Sequence, residues 1–285
     1  MQVLTFKQYI SEAGSPRTVP ISAKSAFETI DKHCQAFARS MSKQLIYRGG
    51  SGFDGFRTYH GNSNSGNPRK SANTANYFTL WHDNHPDWSE FPKRSRSFIC
   101  SNDFDIANNF GDTHLLIPYD DAHIGVVPEE DLFGAITSPI GEDLSIFNTT
   151  INAVLDCVGK EYKLADGIET YKQLVDRLKL ATLQVLEAAP INMRKYLVLE
   201  AIDHMNQYNA KTYLEVVDKC YSPKDFSQGK ASSIKLPNVG CELYIQGEGV
   251  FLPYSELSYD RKKYTEEYIE LLQLAVGKYN WNLDA

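Results

Sequence analysis

Gly240-Cys241-Glu242-Leu243-Tyr244-Ile245-Gln246-Gly247-Glu248 puts a carboxylate at the head of an apolar run and closes that run near a glycine. Residues 242–245 have the length and composition of a buried strand, and 249–252 repeat the pattern after a short polar interval. A glutamate opening such a strand is poorly placed for solvation and needs a partner or a task. An edge glutamate on a hairpin meets the same pattern.

Working outward, residues 44–48 predict a strand stopped by Gly49-Gly50, and 97–100, 115–117 and 123–127 predict three more. A short helix is expected over 104–110. Helical spacing of Phe27, Ile30, Cys34, Phe37 and Met41 predicts a helix over 22–42, and Tyr264, Tyr268, Leu271, Leu272 and Ala275 predict one over 260–278. Between the sheet segments, 145–220 switches to helix: one stripe runs through Ile151, Val154, Leu155 and Val158, and another through Ile168, Tyr171, Leu174, Val175, Leu178 and Val185. Pro190 breaks the chain before a further helix at 191–206. These stripes are core positions rather than a cofactor box. Residues 49–76, rich in Gly, Asn and Ser, read as a long loop, which in a compact domain is functional or mobile. The class is therefore α+β, a sheet interrupted by a helical insertion at about 145–220 and flanked by helices. Residues 13–285 are expected to form one domain behind a leader at 1–12; the composition change at 14–16 sets 1–20 apart.

A chain of 285 residues with 42% hydrophobic and 23% charged residues can bury a sizeable core. Its formal charge of −7 argues against a general nucleic-acid surface, which needs a clustered basic excess. No apolar run reaches the roughly 20 residues of a membrane helix, and the first residues lack the pattern of a secretion signal. Cys34, Cys100, Cys157, Cys220 and Cys241 are scattered singly, as free thiols of a reducing compartment are.

Three separated segments carry chemistry. In Ile46-Tyr47-Arg48-Gly49-Gly50, an arginine at a strand end followed by glycines offers a guanidinium fork where a ligand can approach closely. A strand-end arginine in a structural ion pair is the alternative. In Arg94-Ser95-Arg96-Ser97-Phe98-Ile99-Cys100-Ser101-Asn102, hydroxyls bracket an apolar strand, and Asn102 could cap the helix that follows. The third segment is the one headed by Glu242.

In this order the three segments resemble the arginine–serine–glutamate class of ADP-ribosyltransferases. That family carries an Arg between an aromatic residue and Gly, as at Tyr47-Arg48-Gly49. It then carries Phe-x-Ser-Thr-Ser followed by Ala-x-x-Phe, matched by Phe98-Ile99-Cys100-Ser101-Asn102 with Ala107 and Phe110. Its third strand opens with the catalytic Glu, as 242–245 does. The resemblance covers about 40 residues in three patches. It implies a split β-sheet core, NAD as the substrate, and cleavage of the nicotinamide–ribose bond through an oxocarbenium-like transition state. It implies Glu242 as the carboxylate that stabilises that charge, Arg48 on the phosphates, and Ser97 or Ser101 as the orienting hydroxyl, since Cys100 stands where the family has its first Ser. Gly49, Phe98, Ser101, Phe104 and Phe110 are the implied NAD contacts, with Phe104, Phe110 or Tyr119 stacking on nicotinamide. Gly240 stands where arginine-modifying members carry a second Glu. Glu248, in Gln246-Gly247-Glu248, is the rival catalytic acid.

Two other constellations stand beside these. Trp81-His82-Asp83-Asn84-His85-Pro86-Asp87-Trp88 concentrates possible metal ligands but lacks the helical spacing of a metalloprotease motif, so a polar loop with aromatic anchors is expected and no metal. A Cys–His pair would need Cys100 or Cys241 with His114 or His123, and no nucleophile motif accompanies it. Ile10-Ser11-Glu12-Ala13-Gly14 resembles the processing site of a prohead protease from T-even-type phages. That resemblance implies a capsid-targeting leader, packaging in the phage head as an internal head protein, and injection into the host cytoplasm to modify a host protein. An inactive relative that binds a host factor is the alternative.

Overall fold

The computed structural model describes residues 18–41, 43–50, 57–70, 75–137, 139–164, 167–189, 195–254 and 266–281. The leader at 1–12, Pro190 and the start of the helix expected at 260–278 lie outside them. The described chain divides into two compact units, one drawn from 1–72, 90–130 and 225–285, the other from 73–89 and 131–224.

The first unit is built on a nine-stranded sheet, antiparallel at every pairing, in the order β1-β3-β9-β5-β2-β4-β8-β6-β7. Its strands are β1 (Thr18–Ile21), β2 (Tyr47–Gly50), β3 (Thr58–Asn62), β4 (Phe98–Ser101), β5 (Asp112–Pro118), β6 (His123–Val126), β7 (Ser227–Lys230), β8 (Glu242–Gln246) and β9 (Glu248–Pro253). At the centre, β2 meets β4 through the single paired position Tyr47–Ser101, while β4 pairs with β8 along its full length. Helices α1 (Ala23–His33), α2 (Gln35–Ser40), α4 (Phe104–Asn108) and α11 (Glu266–Tyr279) complete this unit.

Several expectations are corrected here. The helix expected over 22–42 is two helices, broken at Cys34. The second restarts because the Asp120 carboxylate accepts from the N–H groups of Ala36 and Phe37, at 3.0 Å each. A cap supplied from 84 residues away leaves no local signal. The glycines after Arg48 do not stop the strand; β2 runs through both. Thr18–Ile21 are not part of a detached leader but form the edge strand β1. The 49–76 loop contains β3, whose Gly61 is required because an added Cβ would lie 2.4 Å from the Phe251 ring.

The second unit is helical: α3 (Tyr77–Asn84), α5 (Leu132–Ala135), α6 (Leu144–Glu161), α7 (Tyr171–Leu180), α8 (Leu183–Glu187), α9 (Lys195–Tyr208) and α10 (Tyr213–Cys220). The polar loop expected at 81–88 is instead the end of α3 followed by a 3-10 turn, Pro86–Trp88, and its two tryptophans are buried. The Thr170 side chain and Gln173 form a capping box at α7, and the Thr182 hydroxyl caps α8, which splits the second apolar stripe. Phe78, Trp88, Phe147 and Tyr221 pack edge to face in the core of this unit. No helix among the described residues is long and apolar enough to cross a membrane.

Candidate active site

The register of β2, β4 and β8 decides which side chains meet. Tyr47, Ser101 and Glu242 lie directly opposite one another across the three strands, so they share a face of the sheet. Helix α4 covers that face. It approaches so closely that a Cβ at Gly49 would stand 1.9 Å from the Ala107 carbonyl oxygen. The glycine after Arg48 is therefore needed for a helix backbone. Gly49, Ile99, Ser101, Ala107, Phe110, Glu130 and Glu242 line a small cleft there, with a cavity volume of about 20 Å³. Beyond Tyr47, at the end where β2 and β8 begin, lies a larger cavity of about 280 Å³ bordered by Lys43, Gln44, Asn102, Asp103, Pro237 and Val239.

Glu242 is 5% exposed. Its N–H donates to the Glu129 carbonyl at 3.1 Å, and its own carbonyl accepts from Val127 N–H at 2.9 Å, which fixes the head of β8. The Ser101 hydroxyl donates to the Cys241 carbonyl (3.1 Å) and accepts from Asp103 N–H (3.0 Å), so it ties the residue before Glu242 to the start of α4. Asn102 does the same from both ends. Its Oδ1 accepts from Cys241 N–H at 2.7 Å, and its Nδ2 donates to the carbonyls of Pro237 and Val239 at 2.7 and 3.0 Å. It is not the helix cap; Asp103 is, through Oδ1 and Ile106 N–H. A side chain at Gly240 would press on Ile106 and Asp103, which explains a residue without one at that position.

Arg48 is turned away from this cleft. Strand alternation sends it to the opposite face with its cross-strand partner His114. There its Nη1 donates to the Ile99 carbonyl at 2.6 Å and its guanidinium lies 5.5 Å from the centre of the Phe98 ring. Phe98 itself packs edge to face on Phe251 in the core. Ser97 is fully buried, and its hydroxyl donates to the Lys93 carbonyl at 2.8 Å, closing the 3-10 turn Arg94–Arg96. Phe104 sits at the start of α4 with its ring against Tyr47 and Tyr254. Tyr119 stacks on His33 and bonds to His60, in contact with none of the cleft residues by those interactions. The structure thus brings together Glu242, Ser101, Gly49 and Phe110, and leaves Arg48, Ser97, Phe98 and Tyr119 elsewhere.

Arg94 was legible only as part of a basic run. In the fold it is 8% exposed, its Nη2 lies 3.9 Å from Glu242 Oε1, and its Nε donates to the Tyr244 hydroxyl at 3.3 Å. The guanidinium also faces the Tyr244 ring, 5.6 Å from its centre. Two residues apart on β8, Glu242 and Tyr244 point to the same face.

The rival acid, Glu248, begins β9 and is half-exposed. It is held by His60 Nε2 at 3.0 Å and Asn62 Nδ2 at 3.3 Å. The cysteine alternative finds no support in the geometry. The Cys241 thiol is pushed up to about 12 by burial and by the Glu242 charge. His114 is held down to about 4 by burial and bonds to the Arg57 carbonyl, and His123 bonds to Gln228. In the helical unit, His85, Asp87 and Asp218 offer three possible metal ligands within 4.8 Å of one another. The ring of His85 already accepts from Asp87 N–H through Nδ1, faces Asp218 Oδ1 at 3.0 Å through Nε2, and stacks on Trp81.

Compared with known proteins, the chain matches no family model, no curated protein and no solved structure.

Proposed function

We propose that this chain is a phage-encoded mono-ADP-ribosyltransferase that moves ADP-ribose from NAD to a host protein, with Glu242 as the catalytic carboxylate. One observation carries the reading. Three segments far apart in sequence lie on the adjacent strands β2, β4 and β8, and residues from all three line one cleft with Glu242. NAD cleavage breaks the bond from ribose C1′ to the nicotinamide nitrogen; the bonding pair leaves with neutral nicotinamide, and positive charge develops on the ribose. A buried carboxylate beside the sugar stabilises that charge more in the transition state than in the ground state. The acceptor then bonds to C1′ and loses its proton, a transfer Glu242 can assist. The proposal puts the nicotinamide riboside at the Glu242 cleft and the rest of the dinucleotide in the cavity of about 280 Å³ beyond Tyr47, where Lys43 supplies a cation.

The test is incubation of the purified protein with labelled NAD and a host lysate, followed by mass spectrometry of modified proteins. Label on a discrete host protein supports the proposal; no label and no free nicotinamide contradict it. The phage setting rests on residues 10–14 alone. N-terminal sequencing of protein recovered from virions tests it, a start at Ala13 supporting the leader and a start at Met1 opposing it.

A second reading is favoured by the size of the cleft, whose cavity of about 20 Å³ is far below the roughly 300 Å³ at the small end of ligand sites. On that reading the chain binds a host factor without cleaving NAD. Calorimetry with NAD separates the two, since a binding protein of this kind gives no heat of NAD binding.

A further inference from the structure

Resting on the transferase reading and deepening it, we infer that Arg94 is a positioning residue for Glu242: with Tyr244 it keeps the buried carboxylate ionised at the cleft. Glu242, Tyr244 and Arg94 are all at least nine-tenths buried, and an isolated carboxylate so placed favours its neutral form. A neutral acid cannot stabilise an oxocarbenium charge. The reaction therefore needs a device that holds the negative charge in place.

The geometry supplies one. Arg94 Nη2 stands 3.9 Å from Glu242 Oε1, close enough for an opposite charge to favour ionisation. That distance is longer than a hydrogen bond, so the guanidinium acts on Glu242 through charge. Its Nε spends a proton on the Tyr244 hydroxyl at 3.3 Å. The Tyr244 phenol is held well above its ordinary value, chiefly by burial and then by the Glu242 charge, so it keeps its proton beside the carboxylate. Arg94 thus meets the carboxylate through charge and the neighbouring phenol through a hydrogen bond.

The turn that carries Arg94 is itself fixed. Ser97 Oγ bonds to the Lys93 carbonyl, Lys93 N–H donates to Gln246 Oε1 at 2.8 Å, and Arg96 Nη1 donates to the Gly66 carbonyl at 2.8 Å. Pro92 lies against Gly125 of β6, where an added Cβ would stand 3.0 Å from its ring. The other groups facing Glu242 do not replace Arg94. Cys241 and Tyr244 are neutral near pH 7, and Glu130, on the segment after β6, brings a second negative charge to the same cleft. Arg94 sets a cation beside Glu242.

The test uses the full chain with ¹³C-carboxyl-labelled glutamate. The Glu242 signal is assigned by its loss in Glu242→Gln and titrated by NMR in parallel with the pH profile of nicotinamide release. In Arg94→Gln, the pH at which Glu242 takes up its proton is expected to rise by about one to three units. The acid limb of kcat follows it, while KM for NAD changes by less than about twofold. Arg94→Lys restores most of the shift, and Tyr244→Phe gives a smaller upward shift. Tyr244→Phe decides the matter if Arg94→Gln does not fold. An unchanged Glu242 titration in folded Arg94→Gln, or in Tyr244→Phe where Arg94→Gln does not fold, overturns the inference, as does a raised KM with an unmoved titration, which would make Arg94 a substrate-binding group. A shifted titration in a protein that never releases nicotinamide would uphold the electrostatic role and remove the transferase reading instead.

Discussion

Arg48, on β2, and Arg94, on the turn before β4, are both buried arginines, and each lies against an aromatic ring at nearly the same distance, 5.5 and 5.6 Å. Their surroundings differ in one respect that separates a structural role from a functional one. Arg48 donates to a backbone carbonyl on the face that carries Phe98 and His114. Arg94 sits beside a carboxylate on the face that carries the cleft. A guanidinium on a carbonyl ties two strands together. A guanidinium beside a buried carboxylate also sets a charge state.

Exchanging the two arginines for glutamine in turn gives the largest expected contrast. Arg94→Gln should lower kcat for nicotinamide release at pH 6 on the order of 10- to 100-fold, whereas Arg48→Gln should leave the pH profile in place. Equal profiles would erase the distinction. Stability should separate them the other way. Arg48→Met strands the Ile99 carbonyl and is expected to cost about 1–3 kcal/mol in urea unfolding, with no displacement of the Glu242 titration.

The Arg48 face also carries a pH signature. Burial holds His114 down to about 4 from its ordinary 6.5. A histidine whose folded value is depressed is protonated more readily in the unfolded chain. Its contribution is therefore complete above pH 6.5 and is lost as pH falls toward about 4. His204 in the helical unit acts in the same direction and over the same window. Unfolding free energy should fall across that window by about 1 kcal/mol per pH unit for each histidine. In His114→Gln the slope should decrease; an unchanged slope would show that His114 does not titrate on unfolding. The smallest effect is expected at Glu248→Gln. Its half-exposed contacts with His60 and Asn62 are worth under about 1 kcal/mol, and transfer activity should be unaffected.

Much of the sheet was legible in sequence because its central strands are short apolar runs: 98–101, 112–118, 123–126 and the pair around Gly247. The strands that sequence reading missed lack that signal. β1 and β7 are edges with largely exposed side chains, and β3 lies in a polar, glycine-rich stretch where Gly61 yields space to Phe251 and Phe98. The break at Cys34 depends on Asp120, and the helix at 77–84 passes from Tyr77-Phe78 into the polar end His82-Asp83-Asn84, which reads as a loop. At the site, Glu242 and Ser101 could be read from their strand ends. The side of the sheet that Arg48 takes could not, because a one-residue change of register reverses every side chain. Asn102 and Arg94 were visible as residues but not as partners, since what they hold lies 135 to 150 residues further along.

The most direct measurement of the central claim is the rate of nicotinamide release from NAD by the wild-type chain, by Glu242→Gln and by Glu248→Gln, each confirmed to be folded. Wild-type release above background is expected, with a loss of about 100-fold or more in Glu242→Gln and a rate near wild type in Glu248→Gln. Release that persists in Glu242→Gln, or that vanishes only in Glu248→Gln, would contradict it.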